Sequence, residues 1–334
     1  MRGYVLERYG DTSAMSLREV AEPEVGPGMV LVRVHAAGLN PVDYKIREGK
    51  MRLINRLRLP LVAGSEFAGV VEQIGPGVTR FAPGDRVFAR TDKSRMGAFA
   101  DYAAVEESLV AKFPDELDFR QAAGMPLAGL TALQALRDQL GAGPGGRLYI
   151  SGGAGGVGTL AIQIAKALGA EVTTTASGRG EELVRKLGAD HVIDYEKERA
   201  QDVLQGYDYA FDLIGGDELT GAFHVVKPGG AVVSIAGVPE PSTAREDLGR
   251  GQPLQALFWL ASAKIRGAAR KRHIRYRFLL MHPSGADLEF LGKLVQQADL
   301  NVVVDRVYSL DEIAEAFTYL EQGHAKGKVI VERI

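Results

Sequence analysis

Arg147-Leu148-Tyr149-Ile150-Ser151-Gly152-Gly153-Ala154-Gly155-Gly156-Val157-Gly158 is the stretch that decides the fold. Arg147–Ser151 reads as a short buried strand. Gly153, Gly155 and Gly158 follow it at G-x-G-x-x-G spacing. Val157, Leu160, Ala161, Ile164, Ala165 and Leu168 then recur at the intervals of one helix face. The bare motif is weak, since a chain with 41 glycines meets it by chance roughly 0.6 times. Between a strand and a helix, the glycines have mechanical roles. They allow a tight turn, close approach of backbone to a pyrophosphate, and helix–strand contact. The helix start adds unpaired N–H groups and the positive end of its dipole. We read Gly153, Ala154, Gly155, Gly156, Val157 and Gly158 as a dinucleotide-binding loop. The alternative is a glycine-rich turn without a ligand.

Strand-like runs recur downstream at Glu171–Ala176, His191–Asp194, Tyr207–Ile214 and Ala231–Gly237, with helical stretches between them. That alternation predicts an α/β unit on a parallel, doubly wound sheet. The first 120 or so residues differ. Val30–Ala36, Gly69–Ile74 and Asp85–Ala89 are short strands bounded by Gly26-Pro27-Gly28, Gly75-Pro76-Gly77 and Pro83-Gly84-Asp85. The last 50 or so residues read as helix then strand, ending in Lys328–Val331, and are expected to rejoin the first domain.

A dinucleotide site for NAD carries an acid about 20 residues past the loop, bonded to the ribose 2′-hydroxyl. Here that region reads Thr173-Thr174-Thr175-Ala176-Ser177-Gly178-Arg179-Gly180, with hydroxyls and an arginine in place of an acid. Ser177 and Arg179 suit a 2′-phosphate, which a carboxylate would repel. NADPH is therefore the expected cofactor. The competing reading makes Arg179 a solvated helix-start residue.

The chain has 334 residues, a formal charge of −2 and no cysteine. Its charge balance gives no global reason to expect a nucleic acid or membrane partner. Disulfides and cysteine-ligated metals are excluded. The N-terminus, MRGYVLERYGD, lacks the apolar core of a signal peptide, and the expectation is a soluble, cytoplasmic protein.

Gly64-Ser65-Glu66-Phe67-Ala68-Gly69-Val70-Val71, continued by Gly75, Gly77, Val78 and Gly84-Asp85-Arg86-Val87, resembles the catalytic-domain signature of the medium-chain dehydrogenase/reductase superfamily. Leu39-Asn40-Pro41-Val42-Asp43, Ala122–Leu130 with Thr131, Ser151–Gly158, and Gly188–Asp194 with Tyr195 resemble its quinone oxidoreductase and alkenal/enone oxidoreductase branch. The resemblance implies a GroES-like β-rich catalytic domain over 1–122, a Rossmann domain over 123–280, and return to the catalytic domain over 281–334. It places Asn40 and Thr131 against the nicotinamide, and Tyr195 beside Ser177 and Arg179 at the adenosine phosphate. Gly237 joins the cofactor-binding set. Asn40 and Ser65 stand where zinc-dependent members hold cysteine and histidine ligands, so no metal is expected. Lys45 stands where quinone oxidoreductases often carry tyrosine, with Tyr44 just before it.

The chemistry expected is hydride transfer from NADPH to the C=C bond of an enone or alkenal, or to a quinone. Lys45 is the first candidate to stabilise oxyanion charge and Tyr44 the second, with Asn40 in the same site. Sequence does not separate enone from quinone. The rival reading is a non-catalytic NADPH-binding or structural relative. A homodimer is expected. Lys264–Arg277 is rich in cations, and no acid occurs from Leu248 to Ala286. It reads as a solvated or interface face, with nucleic-acid binding as the alternative. The neighbouring apolar stretch Leu254–Ala263 reads as a cap over the substrate or a dimer contact.

Overall fold

The computed structural model describes residues 1–333 of the chain. It divides into two compact units, Met1–Leu130 with Pro283–Ile334, and Thr131–His282.

The first unit begins with β1 (Arg2–Leu6), β2 (Met15–Glu19), β3 (Met29–Leu39), β4 (Leu61–Val62), β5 (Glu66–Ile74), β6 (Arg86–Arg90), β7 (Tyr102–Glu106) and β8 (Val110–Lys112). β3 is the spine. It pairs antiparallel with both β5 and β7. Val30, Val32 and Val34 alternate inward along it and meet Phe67, Val71, Val87 and Phe99 in one core. β-branched residues at that period suit a pleated, buried surface.

The second unit carries β9 (Arg147–Ile150), β10 (Glu171–Ala176), β11 (His191–Asp194), β12 (Tyr207–Asp212), β13 (Val226–Ser234) and β14 (Arg275–Phe278) in the order β11-β10-β9-β12-β13-β14. Every pairing is parallel. The order reverses at β9, so the carboxyl ends of β9 and its neighbours form the switch point where doubly wound sheets bind ligands. β14 corrects the sequence reading, which counted five strands and treated Lys264–Arg277 as one basic segment. Arg275-Tyr276-Arg277-Phe278 looks solvent-facing because its alternate residues are charged. Arg277 is nevertheless drawn inward, 2.6 Å from Asp247 and 2.8 Å from Ser242 Oγ.

The chain then returns to the first unit through β15 (Val304–Ser309) and β16 (Lys328–Glu332). β16 lies antiparallel to β3, with Val329 opposite Leu39 and Ile330 opposite Gly38. The sequence reading breaks the chain at 122/123 and 280/281, whereas the units divide at 130/131 and 282/283. The eight-residue shift has a local cause. Ala122, Ala123 and Gly124 are buried, and the Leu127 amide donates to Glu66 of β5 at 2.6 Å, so this stretch is tied to the first unit.

Candidate active site

In the second unit, β9 runs into the glycine loop and the helix Gly156–Ala167. Gly153 N–H donates to Thr175 O at 3.0 Å and Gly152 N–H to Thr175 Oγ1 at 2.9 Å. The loop is thereby pinned to β10. A methyl group on Gly153 would lie 2.2 Å from Thr174 Oγ1, and one on Gly158 would lie 2.3 Å from Gly152 O. Only glycine fits at either position. No side chain caps Gly155, and Thr159 N–H makes the first bond back, to Gly155 O. The N–H groups of the first turn therefore have no intrahelical partner, which is the local arrangement that binds phosphate.

Ser177 follows β10 and Tyr195 follows β11, adjacent parallel strands whose ends align Ala176 with Asp194. Tyr195 N–H donates to Ala176 O at 3.4 Å, and its ring is 56% exposed. Ser177 starts the helix Gly178–Lys186 without capping it, and Arg179 is exposed in its first turn. Ser177, Arg179 and Tyr195 thus share one end of the sheet with the glycine loop. Gly237 lies past β13, where an added methyl would meet the Tyr276 hydroxyl at 2.5 Å. Thr131 is buried in the helix Pro126–Leu133.

Sequence reasoning missed two features of this unit. Asp212, at the end of β12, is buried and accepts bonds from Ser151 Oγ at 3.1 Å, Ser234 Oγ at 2.6 Å and Gly215 N–H at 3.0 Å. It ties together the ends of β9, β12 and β13. Ile214 is 58% exposed, and its Cδ1 would lie 2.9 Å from a methyl on Gly152. An apolar side chain therefore stands open beside the loop. An acid or isoleucine ending a buried strand was the available signal for both.

In the first unit, Asn40 precedes the helix Pro41–Arg47, and Ser65–Glu66 lead into β5. All three are buried, as are Asp43 and Lys328. Asn40 Nδ2 donates to Glu66 Oε1 at 2.6 Å. Lys328 Nζ donates to Asn40 Oδ1, and to Glu66 Oε1 at 2.7 Å. Glu66 Oε2 accepts the Leu127 amide, so both of its oxygens are bonded. Asp43 accepts Asn40 N–H at 2.8 Å and the Ser65 hydroxyl. Burial pushes the Asp43 carboxyl up to about 6, against the lowering pull of Ser65, Arg90 and the Asn40 N–H. Lys328 was not singled out in the sequence, where it reads only as the first residue of a strand.

Tyr44 and Lys45 do not enter this cluster. Tyr44 packs against the core of the unit, and burial with Glu321 and Glu48 raises its hydroxyl pKa. Lys45 is half-buried, one residue before Ile46, which packs with Leu57 and Met96. Its ammonium forms no ion pair among the described residues.

Both ends of the Asn40 amide are engaged, Ser65 is bonded to Asp43, and the cation beside Glu66 is Lys328. Among the described residues no three His, Cys, Asp or Glu side chains converge as metal ligands.

Two family models match the chain: an alcohol dehydrogenase GroES-like domain over residues 26–115 and a zinc-binding dehydrogenase over residues 187–331. The chain is 36% identical to the NADPH-dependent alkenal/one oxidoreductase of Arabidopsis thaliana, across 99% of this chain and 79% of that protein. It is 34% identical to the 2-methylene-furan-3-one reductase of Solanum lycopersicum, across 100% and 79%. The solved quinone oxidoreductase from Coxiella burnetii superposes with a TM-score of 0.85 at 32% identity, covering 100% of this chain and 99% of that one.

Proposed function

Because the chain belongs to the medium-chain dehydrogenase/reductase superfamily, among its quinone and alkenal oxidoreductases, we propose that it is an NADPH-dependent reductase. It acts on the C=C bond of an α,β-unsaturated carbonyl, or on a quinone, and works without zinc. The reading includes a small-molecule acceptor and a cytoplasmic homodimer.

The observation that carries it is the Asn40–Glu66–Lys328 cluster. At Asn40 and Ser65, where the resemblance puts the ligands of zinc-dependent relatives, this chain holds an amide bonded to a buried ion pair and a hydroxyl bonded to Asp43. Alcohol oxidation then lacks the ion that stabilises an alkoxide. Reduction of a conjugated C=C needs less, because conjugation carries the charge to an oxygen that one hydrogen-bond donor can stabilise.

The residues fit NADPH. The first turn of Gly156–Ala167 and the loop Gly153–Gly158 hold the pyrophosphate. Ser177, Arg179 and Tyr195 would take the 2′-phosphate, and β10 itself ends without a carboxylate. Ile214 and Gly237 would lie beside a bound dinucleotide, and Asp212 bonds the Ile214 and Gly215 amides and Ser234. When bound, NADPH supplies the hydride. Asn40 and Thr131 are the residues that the resemblance assigns to the reacting end. The Lys45 ammonium donates to the acceptor's carbonyl oxygen as charge develops there, and Tyr44 is the second donor. The α-carbon takes its proton from solvent or a side chain.

A panel of enones, quinones and alcohols, followed by loss or gain of NADPH absorbance with and without a chelator, tests this reading. Enones or quinones should consume NADPH equally in both conditions. Chelator-sensitive oxidation of alcohols would overturn it.

A further inference from the structure

The helix Gln252–Ala261 is apolar on both of its faces. Its inner face is Leu254 and the buried Phe258, continued by buried Ser262 at the junction with the helix Ala263–Lys271. Its outer face carries Pro253, Ala256, Leu257 and Leu260, an i, i+3, i+4, i+7 stripe that is apolar yet exposed. Leu257 is 45% exposed, Trp259 54% and Leu260 66%. Arg266 braces this face. Its Nη2 donates to Trp259 O at 2.8 Å, and its guanidinium lies 5.5 Å from the centre of the Trp259 ring.

The stripe runs directly into cations. Lys264 follows Leu260 one turn on, and Arg270, Lys271, Arg272 and Arg275 are exposed beyond it. None of these five forms an ion pair among the described residues. Arg277, by contrast, is paired with Asp247 and Glu240. No acid occurs in the sequence between Leu248 and Ala286. The overall charge of −2 conceals this segregation.

We propose that this face docks on the surface of an anionic lipid bilayer, with Leu257, Trp259 and Leu260 entering the headgroup boundary and Lys264, Arg270, Lys271 and Arg275 meeting lipid phosphates. Exposed leucine and tryptophan bordered by lysine and arginine are the composition that lies in a membrane interface, and an anionic leaflet supplies the opposite charge. A second copy of the chain would match the apolar stripe but brings no acid from this same segment to its cations. The sequence-level expectation of no membrane partner rested on net charge, which does not report a local patch. Docking differs from spanning: among the described residues no helix is long and apolar enough to cross a membrane. The inference is independent of the reductase reading.

Trp259 is the only tryptophan in the chain, so intrinsic tryptophan fluorescence reads this face alone. The full-length protein should be titrated with vesicles of phosphatidylcholine, and with vesicles containing about one-third phosphatidylglycerol, alongside co-sedimentation. The expected result is a blue shift and pelleting with the anionic vesicles only. Binding should weaken roughly ten-fold or more as salt rises from about 0.05 to about 0.5 M. The Leu257→Glu/Leu260→Glu variant keeps Trp259 and should lose the shift with an unchanged unfolding midpoint. Arg270→Glu/Lys271→Glu should weaken binding to anionic vesicles. Absence of both shift and pelleting overturns the proposal. So does a lipid-independent shift that follows protein concentration together with a dimeric sedimenting mass, which would assign the face to a second copy.

Discussion

Lys328 Nζ lies 2.7 Å from Glu66 Oε1, and the Asn40 side chain bridges the two. The start of β16 and the start of β5, 262 residues apart in sequence, thus fix the orientation of one amide: Nδ2 faces the carboxylate and Oδ1 faces the ammonium.

Both charges are buried, so removing one strands the other. Lys328→Met should lower unfolding free energy by about 3–5 kcal/mol, and Lys328→Met/Glu66→Leu should cost less than the sum of the single changes. Denaturant unfolding of the three variants measures the coupling. Additive costs below about 1 kcal/mol would show that the pair contributes no more than a surface ion pair.

Asp43 makes stability depend on pH in an unusual direction. Its folded value of about 6 lies above its ordinary value of 3.8. The folded chain therefore binds more protons than the unfolded chain between those values, and this contribution falls as pH rises through the window. The destabilisation caused by Asp43→Asn should be larger at about pH 4.5 than at about pH 7.5, by roughly 2 kcal/mol. Unfolding of both proteins at the two pH values checks it. A penalty independent of pH would mean that burial does not raise this carboxyl.

Arg179→Ala should raise the NADPH Michaelis constant about ten-fold or more and leave NADH nearly unchanged, since charge-assisted phosphate contacts contribute about 1.5–3 kcal/mol. Equal effects on the two cofactors would remove Arg179 from the phosphate site.

Lys45→Met should lower turnover of an enone by about 10²-fold while NADPH binding is spared. The half-buried ammonium has no ion-pair partner among the described residues to lose, so its removal should leave the unfolding midpoint near that of the parent. Unchanged turnover would pass the oxyanion contact to Tyr44 or to solvent.

The parallel sheet was legible in the sequence because the glycine loop sits where a strand-like run gives way to helical periodicity. β14 was not, because Arg275 and Arg277 mask a strand whose inward arginine is neutralised by Asp247, 30 residues earlier. Ser177 and Tyr195 were readable as residues that follow adjacent strands. Lys328 was not readable as part of a site: a lysine opening a buried strand has no periodic signature, and its partners come from the far end of the chain. Tyr44 and Lys45 are neighbours in sequence, yet helix geometry turns one toward the core and leaves the other half-exposed, which no local pattern distinguishes.

Hydride delivery to a conjugated carbon is the step on which the proposed function stands. It is measured by reducing an enone with NADPH carrying deuterium at the transferable C4 position and locating the label in the product by NMR. Deuterium should appear on the β-carbon of a saturated ketone. Deuterium on the carbonyl carbon, giving an allylic alcohol, would contradict that step and make the protein a carbonyl reductase.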